Sequence, residues 1–124
     1  MKRILIAEDE PSIVLSLQFL LGEAGHEVIT AANGSDAVAL AERHKPDLLV
    51  LDIMLPVVDG FQVCRTLRAN PELRDMRILM LTARGREREV ARGMVLGANA
   101  YVTKPFGTRE LMKTVEQLLA GTPG

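Results

Sequence analysis

What the chain lacks narrows it first. A single cysteine in 124 residues rules out an internal disulfide and fits a reducing compartment. Tryptophan is absent and aromatic residues make up 3%, which gives no support to a flavin site. Charge of one sign does not dominate either: the formal net charge is -1, so the electrostatic footprint of a nucleic-acid binder is missing. No apolar run approaches the length of a membrane span. The opening MKRILIAEDE meets acid too soon to hold a signal-peptide core. These absences lead to the expectation of a cytoplasmic protein that touches neither membrane nor, directly, nucleic acid.

What is present reads as one ordinary globular domain, 48% apolar and 25% charged. Two textures alternate along it. Strand-length runs rich in Ile, Leu and Val recur as RILIA (3–7), EVITA (27–31), DLLVLD (47–52), RILMLT (77–82) and AYVT (100–103). Several are apolar at consecutive positions, as strands covered on both faces should be. Between them fall helical stripes: Ile13, Leu17, Leu20 and Leu21; Ala37, Leu40 and Ala41; Phe61, Cys64 and Leu67; Leu111, Val115, Leu118 and Leu119. Segment 86–97 is the weakest, with only Val90 and Met94 obvious. Pro11 suits a first helical turn, and Gly25 and Gly97 suit stops. The order βαβαβαβαβα predicts an α/β fold, a parallel sheet with helices on both faces. The domain is expected over residues 1–120, with 121–124 a flexible tail or the start of a truncated linker.

The polar residues fall where such a sheet gathers them. In DLLVLDIMLPVVDG, Asp52 ends the most apolar run of the chain, where an unpaired carboxylate costs several kcal/mol to desolvate. Glu8 and Asp9 close the first strand, Thr82 the fourth, and Lys104 follows the fifth. Open α/β sheets bind ligands at these carboxyl ends. Three carboxylates in one small pocket would repel by roughly 4 kcal/mol per pair at about 4 Å and an effective dielectric near 20. Lys104 offsets part of this, and the rest calls for raised pKa values or a bound cation. An all-oxygen set with room for water favours Mg²⁺. With a lysine and a threonine beside it, the site reads as one for a phosphoryl group, with Asp52 as nucleophile.

Four motifs, taken in order, carry a resemblance: the acidic pair of IAEDE, the segment LDIMLPVVDGF, LTA at the end of the fourth strand, and GANAYVTKPF. With them the chain resembles, over nearly its whole length, the receiver domain of bacterial response regulators, the CheY-like family. The resemblance implies a doubly wound (βα)5 fold with five parallel strands in the flavodoxin-like order 2-1-3-4-5. It implies that Asp52 accepts the phosphoryl group and that Asp9 and Asp52 ligate Mg²⁺, for which Mn²⁺ could substitute. The Met54 carbonyl would complete the protein ligands, and Glu8 would act through a water. Thr82 would bond a phosphoryl oxygen and Lys104 would pair with the phosphate. Tyr101 would be the aromatic switch that turns inward with Thr82, and Lys104–Pro105 would be a cis peptide. The chain departs from the family twice. Its acidic pair is Glu–Asp where Asp–Asp is common. It reads GANAY where relatives with winged-helix domains often read GADDY, so Asn99 and Ala100 lack the acids of that dimer face.

The implied activity is that of a switch. A histidine kinase or histidine phosphotransfer protein donates the phosphoryl group, and the β4-α4-β5-α5 face changes for a downstream protein target or a missing effector domain. Catalysis would stop at self-phosphorylation and autodephosphorylation, and the expected state is a monomer or a weak phosphorylation-dependent dimer. Two alternatives stand beside it. A Mg²⁺-dependent phosphohydrolase with an aspartyl-phosphate intermediate would carry a second Asp two residues after the nucleophile, where this chain has Met54. A non-phosphorylated interaction module would not need the full acid–Thr–Lys set. Met54 and Arg84, two residues beyond Asp52 and Thr82, are candidates to shield the phosphoryl group from water. Asp59–Gly60 reads as a turn into a helix, and Cys64 as core. His26 and His44 are placed in connections, and RGREREVAR (84–92) reads as a solvated helix start with a possible partner role.

Overall fold

A computed structural model describes residues 2–120; the expected tail, 121–124, lies outside the described residues. Five strands alternate with five helices: β1 (Arg3–Ala7), α1 (Pro11–Glu23), β2 (Glu27–Ala31), α2 (Gly34–His44), β3 (Leu48–Asp52), α3 (Gly60–Arg68), β4 (Arg77–Ala83), α4 (Glu87–Leu96), β5 (Ala100–Lys104) and α5 (Thr108–Leu119). A 3-10 turn at Pro71–Leu73, not expected from the sequence, carries the chain from α3 towards β4. His44 is the last residue of α2 rather than part of a connection. The helix boundaries follow local chemistry. Pro11 opens α1, the Asn33 and Asp59 side chains cap α2 and α3 by accepting from Asp36 N and Gln62 N, and Gly97 closes α4 in the left-handed region. Among the described residues no helix is long and apolar enough to cross a membrane.

All neighbouring strands pair in parallel, in the order β2-β1-β3-β4-β5. The central strand β3 is buried at every position, which is why it is apolar up to its terminal Asp52. Alternation sorts the strand residues onto two faces. Leu5, Ala7, Leu49, Leu51, Ile78 and Met80 pack with α2 and α3 residues such as Ala37, Ala41, Cys64 and Leu67. Ile4, Ile6, Leu48, Val50, Leu79, Leu81 and Val102 pack with Leu17 and Leu21 of α1 and Leu111, Val115 and Leu119 of α5. The expected stripes therefore hold for α1, α2, α3 and α5. They fail in α4, where Met94 is exposed and Gly93 is the buried residue.

Candidate functional site

Register builds the site. Ala7 lies opposite Leu51, so Glu8 follows β1 at the level where Asp52 ends β3. Asp52 lies opposite Leu81, and Ala83 opposite Lys104. Two-residue alternation puts Glu8, Asp52 and Lys104 on the face of α1 and α5, whereas Thr82 follows Met80 on the face of α2 and α3. The site thus straddles the sheet edge, with its charges on one side and its hydroxyl on the other.

The charges meet. Lys104 Nζ lies 3.2 Å from Glu8 Oε1 and 3.5 Å from Asp52 Oδ2. Glu8, Asp52 and Thr82 are the buried polar side chains of the described residues, while Asp9 is exposed. Oxygens of Glu8, Asp9 and Asp52 all lie within 4.8 Å of one another. Burial, above all, pushes the Glu8 carboxyl above its ordinary range; the Glu10 backbone N–H opposes this, Asp52 adds to it, and Lys104 opposes it. Burial works against the charge on Lys104, yet Asp52 and then Glu8 outweigh it and leave the ammonium harder to deprotonate than usual.

Backbone geometry fixes the two buried carboxylates. Asp52 Oδ1 accepts from Met54 N at 3.1 Å, and Glu8 Oε2 accepts from Glu10 N at 3.0 Å. Gly60 is required behind the loop, because a Cβ there would lie 2.6 Å from the Asp52 carbonyl oxygen. Lys104–Pro105 is cis, as expected. Among the described residues Thr82 Oγ1 makes one long contact, 3.5 Å to the Ala83 carbonyl. Tyr101 is half exposed and Met54 exposed, and Arg84 is exposed as well. The donor set fits a hard divalent cation: it holds only oxygens, Asp9 is open to solvent, and the two buried acids have one lysine between them.

Sequence reading missed two sets of contacts around α4. Arg86 reaches Glu89 at 2.7 Å and Met54 Sδ at 4.0 Å. Arg68 donates to the Gly97 carbonyl at 2.9 Å and to Asn99 Oδ1 at 2.8 Å, and the same Asn99 oxygen accepts from Ile78 N at 2.8 Å. The sequence marks Asn99 only by the acid it lacks, and Arg68 only by its place next to Leu67 on the α3 stripe.

A doubly wound parallel sheet with an acid-rich corner and a lysine at its carboxyl edge defines a class of phosphoryl-handling α/β domains. Residues 4–116 match the response regulator receiver domain, and the chain belongs to that family. It is a receiver domain of the two-component response regulators, a family in which phosphorylation on Asp is typical and the phosphoryl group comes from histidine kinases. It is 48% identical to the alkaline phosphatase synthesis transcriptional regulatory protein PhoP of Bacillus subtilis, over 95% of this chain and 48% of PhoP. It is 39% identical to protein PilH of Pseudomonas aeruginosa, over 98% of this chain and all of PilH. The chain spans about half the length of PhoP and of the Rhizobium meliloti regulator PhoB, 48% and 52% respectively. Among solved structures, a response regulator from Chloroflexus aurantiacus superposes with a TM-score of 0.93 at 37% identity, covering 97% of this chain and 98% of that one. The receiver domain of a Pseudomonas aeruginosa sensor histidine kinase, solved with a magnesium ion in its active-site cleft, has a TM-score of 0.89 at 32% identity, covering 97% and 98%.

Proposed function

We propose that Asp52 is the phosphoacceptor of this receiver, with a histidine kinase or histidine phosphotransfer protein as donor. The observation that carries the reading is Lys104, held between buried Glu8 and Asp52 at one end of a three-carboxylate corner. One carboxylate oxygen of Asp52 forms the new O–P bond as the donor's P–N bond breaks, its electron pair goes to the departing ring nitrogen, and a solvent proton on that nitrogen gives neutral imidazole. The Met54 N–H fixes the other oxygen and so orients the attack. Lys104, already poised 3.5 Å from Asp52, follows the charge onto the phosphoryl oxygens. Thr82, on the opposite face of the same edge, would donate its hydroxyl to one of them, and Tyr101 would fill the space it leaves.

Asp9, Asp52 and the Met54 carbonyl would hold Mg²⁺, or Mn²⁺ in its place, with Glu8 acting through a water because its two oxygens already serve Lys104 and Glu10 N. When bound, the cation supplies charge neutralisation for the in-line transfer. A cavity of about 410 Å³ lined by Glu10, Ser12, Ile13, Ser16, Lys104, Pro105 and Phe106 adjoins the site, and would seat the donor protein's residues beside its phosphohistidine. Output passes to a protein target or a linked effector domain.

Incubation with acetyl phosphate and Mg²⁺ followed by intact mass tests the assignment. One phosphoryl adduct is expected, absent from Asp52→Asn and when Mg²⁺ is removed. Lys104→Ala should still be modified yet fail to show the switched state by NMR. An adduct surviving Asp52→Asn at full stoichiometry would overturn it.

A further inference from the structure

Helix α4 is held differently at its two ends. At its start Arg86 has no side-chain cap to offer the helix, and Gly85 before it adopts a φ of 88°. Arg86 instead spans two elements: Nη1 lies 2.7 Å from Glu89 Oε2 and 4.0 Å from Met54 Sδ. Met54 is the residue whose N–H holds Asp52. The guanidinium therefore rests one side chain away from the nucleophile. Glu89 depends on it, for its other oxygen, Oε1, is buried and has no partner, the one such side-chain atom among the described residues. The far end is tied down. Arg68 donates to the Gly97 carbonyl that closes α4 and to Asn99, which in turn accepts from the start of β4. Between the ends, the helix touches the sheet through Gly93, where a Cβ would meet Met80 Sδ.

We propose that Arg86 and Glu89 form an inhibitory latch on α4, opened by the phosphoryl group, with Arg68 and Asn99 as the pivot about which the helix then turns. The inference rests on Asp52 being the phosphoacceptor. A phosphoryl group adds about -1.5 to -2 charges beside Met54. It presents three acceptor oxygens to a guanidinium that now serves a single carboxylate oxygen, and Arg prefers such a partner. Departure of Arg86 removes the ion-pair partner that Glu89 has among the described residues while Oε1 is still buried, an arrangement that disfavours the ionised side chain. The remedy is outward rotation of the first turns of α4. The carboxyl end stays, because its bonds to Arg68 and Asn99 involve no group at the site. Phosphorylation is thus read by the loss of a partner from Glu89, and the helix moves as a lever hinged at residues 97–99.

The two partners predict opposite behaviour, which amide hydrogen exchange of the whole chain can resolve, before and after acetyl phosphate and Mg²⁺, with intact mass recorded in parallel. Arg86→Gln should open the latch without modification, with residues 88–92 exchanging about tenfold faster than in the unmodified wild type. Glu89→Gln should remove the driving charge, so that the adduct forms while 88–92 keep their resting exchange. Residues 97–99 should remain protected throughout and lose protection in Arg68→Ala. Resting exchange in unmodified Arg86→Gln, or full loosening of phosphorylated Glu89→Gln, would overturn the latch. Failure of the wild type to form an adduct would overturn the phosphoacceptor reading instead, and the Arg86→Gln arm, which needs no phosphate, would still decide whether the latch exists.

Discussion

Helices α5 and α4 follow successive strands and are held to the sheet by different means. In α5 the side chains of Leu111, Val115 and Leu119 point inward, the first two with no exposed surface. Each contributes about 1.5–3 kcal/mol on burial. In α4 the one buried position among the described residues is Gly93, while Met94 and Val95 are 41% and 86% exposed. Its anchors are largely polar, Arg86 with Glu89 at one end, Arg68 with Gly97 at the other, and Arg92 over the Phe61 ring between them. A helix that buries little apolar surface opens locally at lower cost than its neighbours. The weakly held helix is also the one that follows Thr82, so the element next to that buried hydroxyl is the one that opens at least cost.

The largest effect that sharpens this contrast comes from truncating the two helices in turn. Leu111→Ala should lower stability by about 2–5 kcal/mol, since it empties a fully packed site. Val90→Ala, at a half-buried position of α4, should cost less than about 1 kcal/mol. Urea denaturation of both variants measures the difference. Equal losses would mean that α4 is packed as firmly as α5, and the contrast would fall.

A smaller effect follows from filling the glycine seam. A Cβ at Gly93 would meet Met80 Sδ, the far end of a flexible side chain. Gly93→Ala should therefore be nearly neutral, because Met80 can swing aside and alanine is favoured over glycine in a helix by about 1 kcal/mol. Gly93→Val adds branches that Met80 cannot accommodate, and should cost about 1–3 kcal/mol in the same urea experiment. A harmless valine would show that α4 already stands off the sheet.

The same contrast explains what was legible in the sequence. Leu111, Val115 and Leu119 announced α5 because a helix held by side chains must repeat them at helical spacing. The five strands and the corner of Glu8, Asp52 and Lys104 were readable for a related reason: buried strands must be apolar, and charges among them stand out. The strand order came from the family resemblance alone. Around α4 that logic had nothing to work on. Gly93 carries no side chain to form a stripe, and Met94, which looked like core, faces solvent. Arg86 and Glu89 sit in a run of charges that reads as a solvated surface. Arg68 and Asn99 meet across 31 positions of sequence, through a carbonyl-rich junction that no local pattern encodes. The 3-10 turn at Pro71–Leu73 was missed because Pro followed by two residues is also an ordinary loop.

The smallest expected effect asks whether the ion pairs at the site, rather than packing, hold the α5 side. Lys104 ties β5 to Glu8 just after β1 and to Asp52 on β3, so loss of Glu8 removes one tether. Against that stands the cost of burying its charge. The Glu8 carboxyl is raised above its ordinary value of 4.5, first by burial, so the folded protein holds this proton more tightly than the unfolded chain does. Ionised Glu8 therefore subtracts from stability, by an amount that is absent below pH 4.5 and grows as pH rises through its folded value. With EDTA present, Glu8→Gln should melt a few degrees above the wild type at neutral pH, and the gap should close as the pH falls below that ordinary value. Asp52 remains as partner for Lys104 in the variant, so the tether is thinned and not lost. A variant that melts lower at neutral pH would mean that the Lys104 pair outweighs the desolvation of Glu8, and that the α5 side is held at the site by charge as well as by Leu111, Val115 and Leu119.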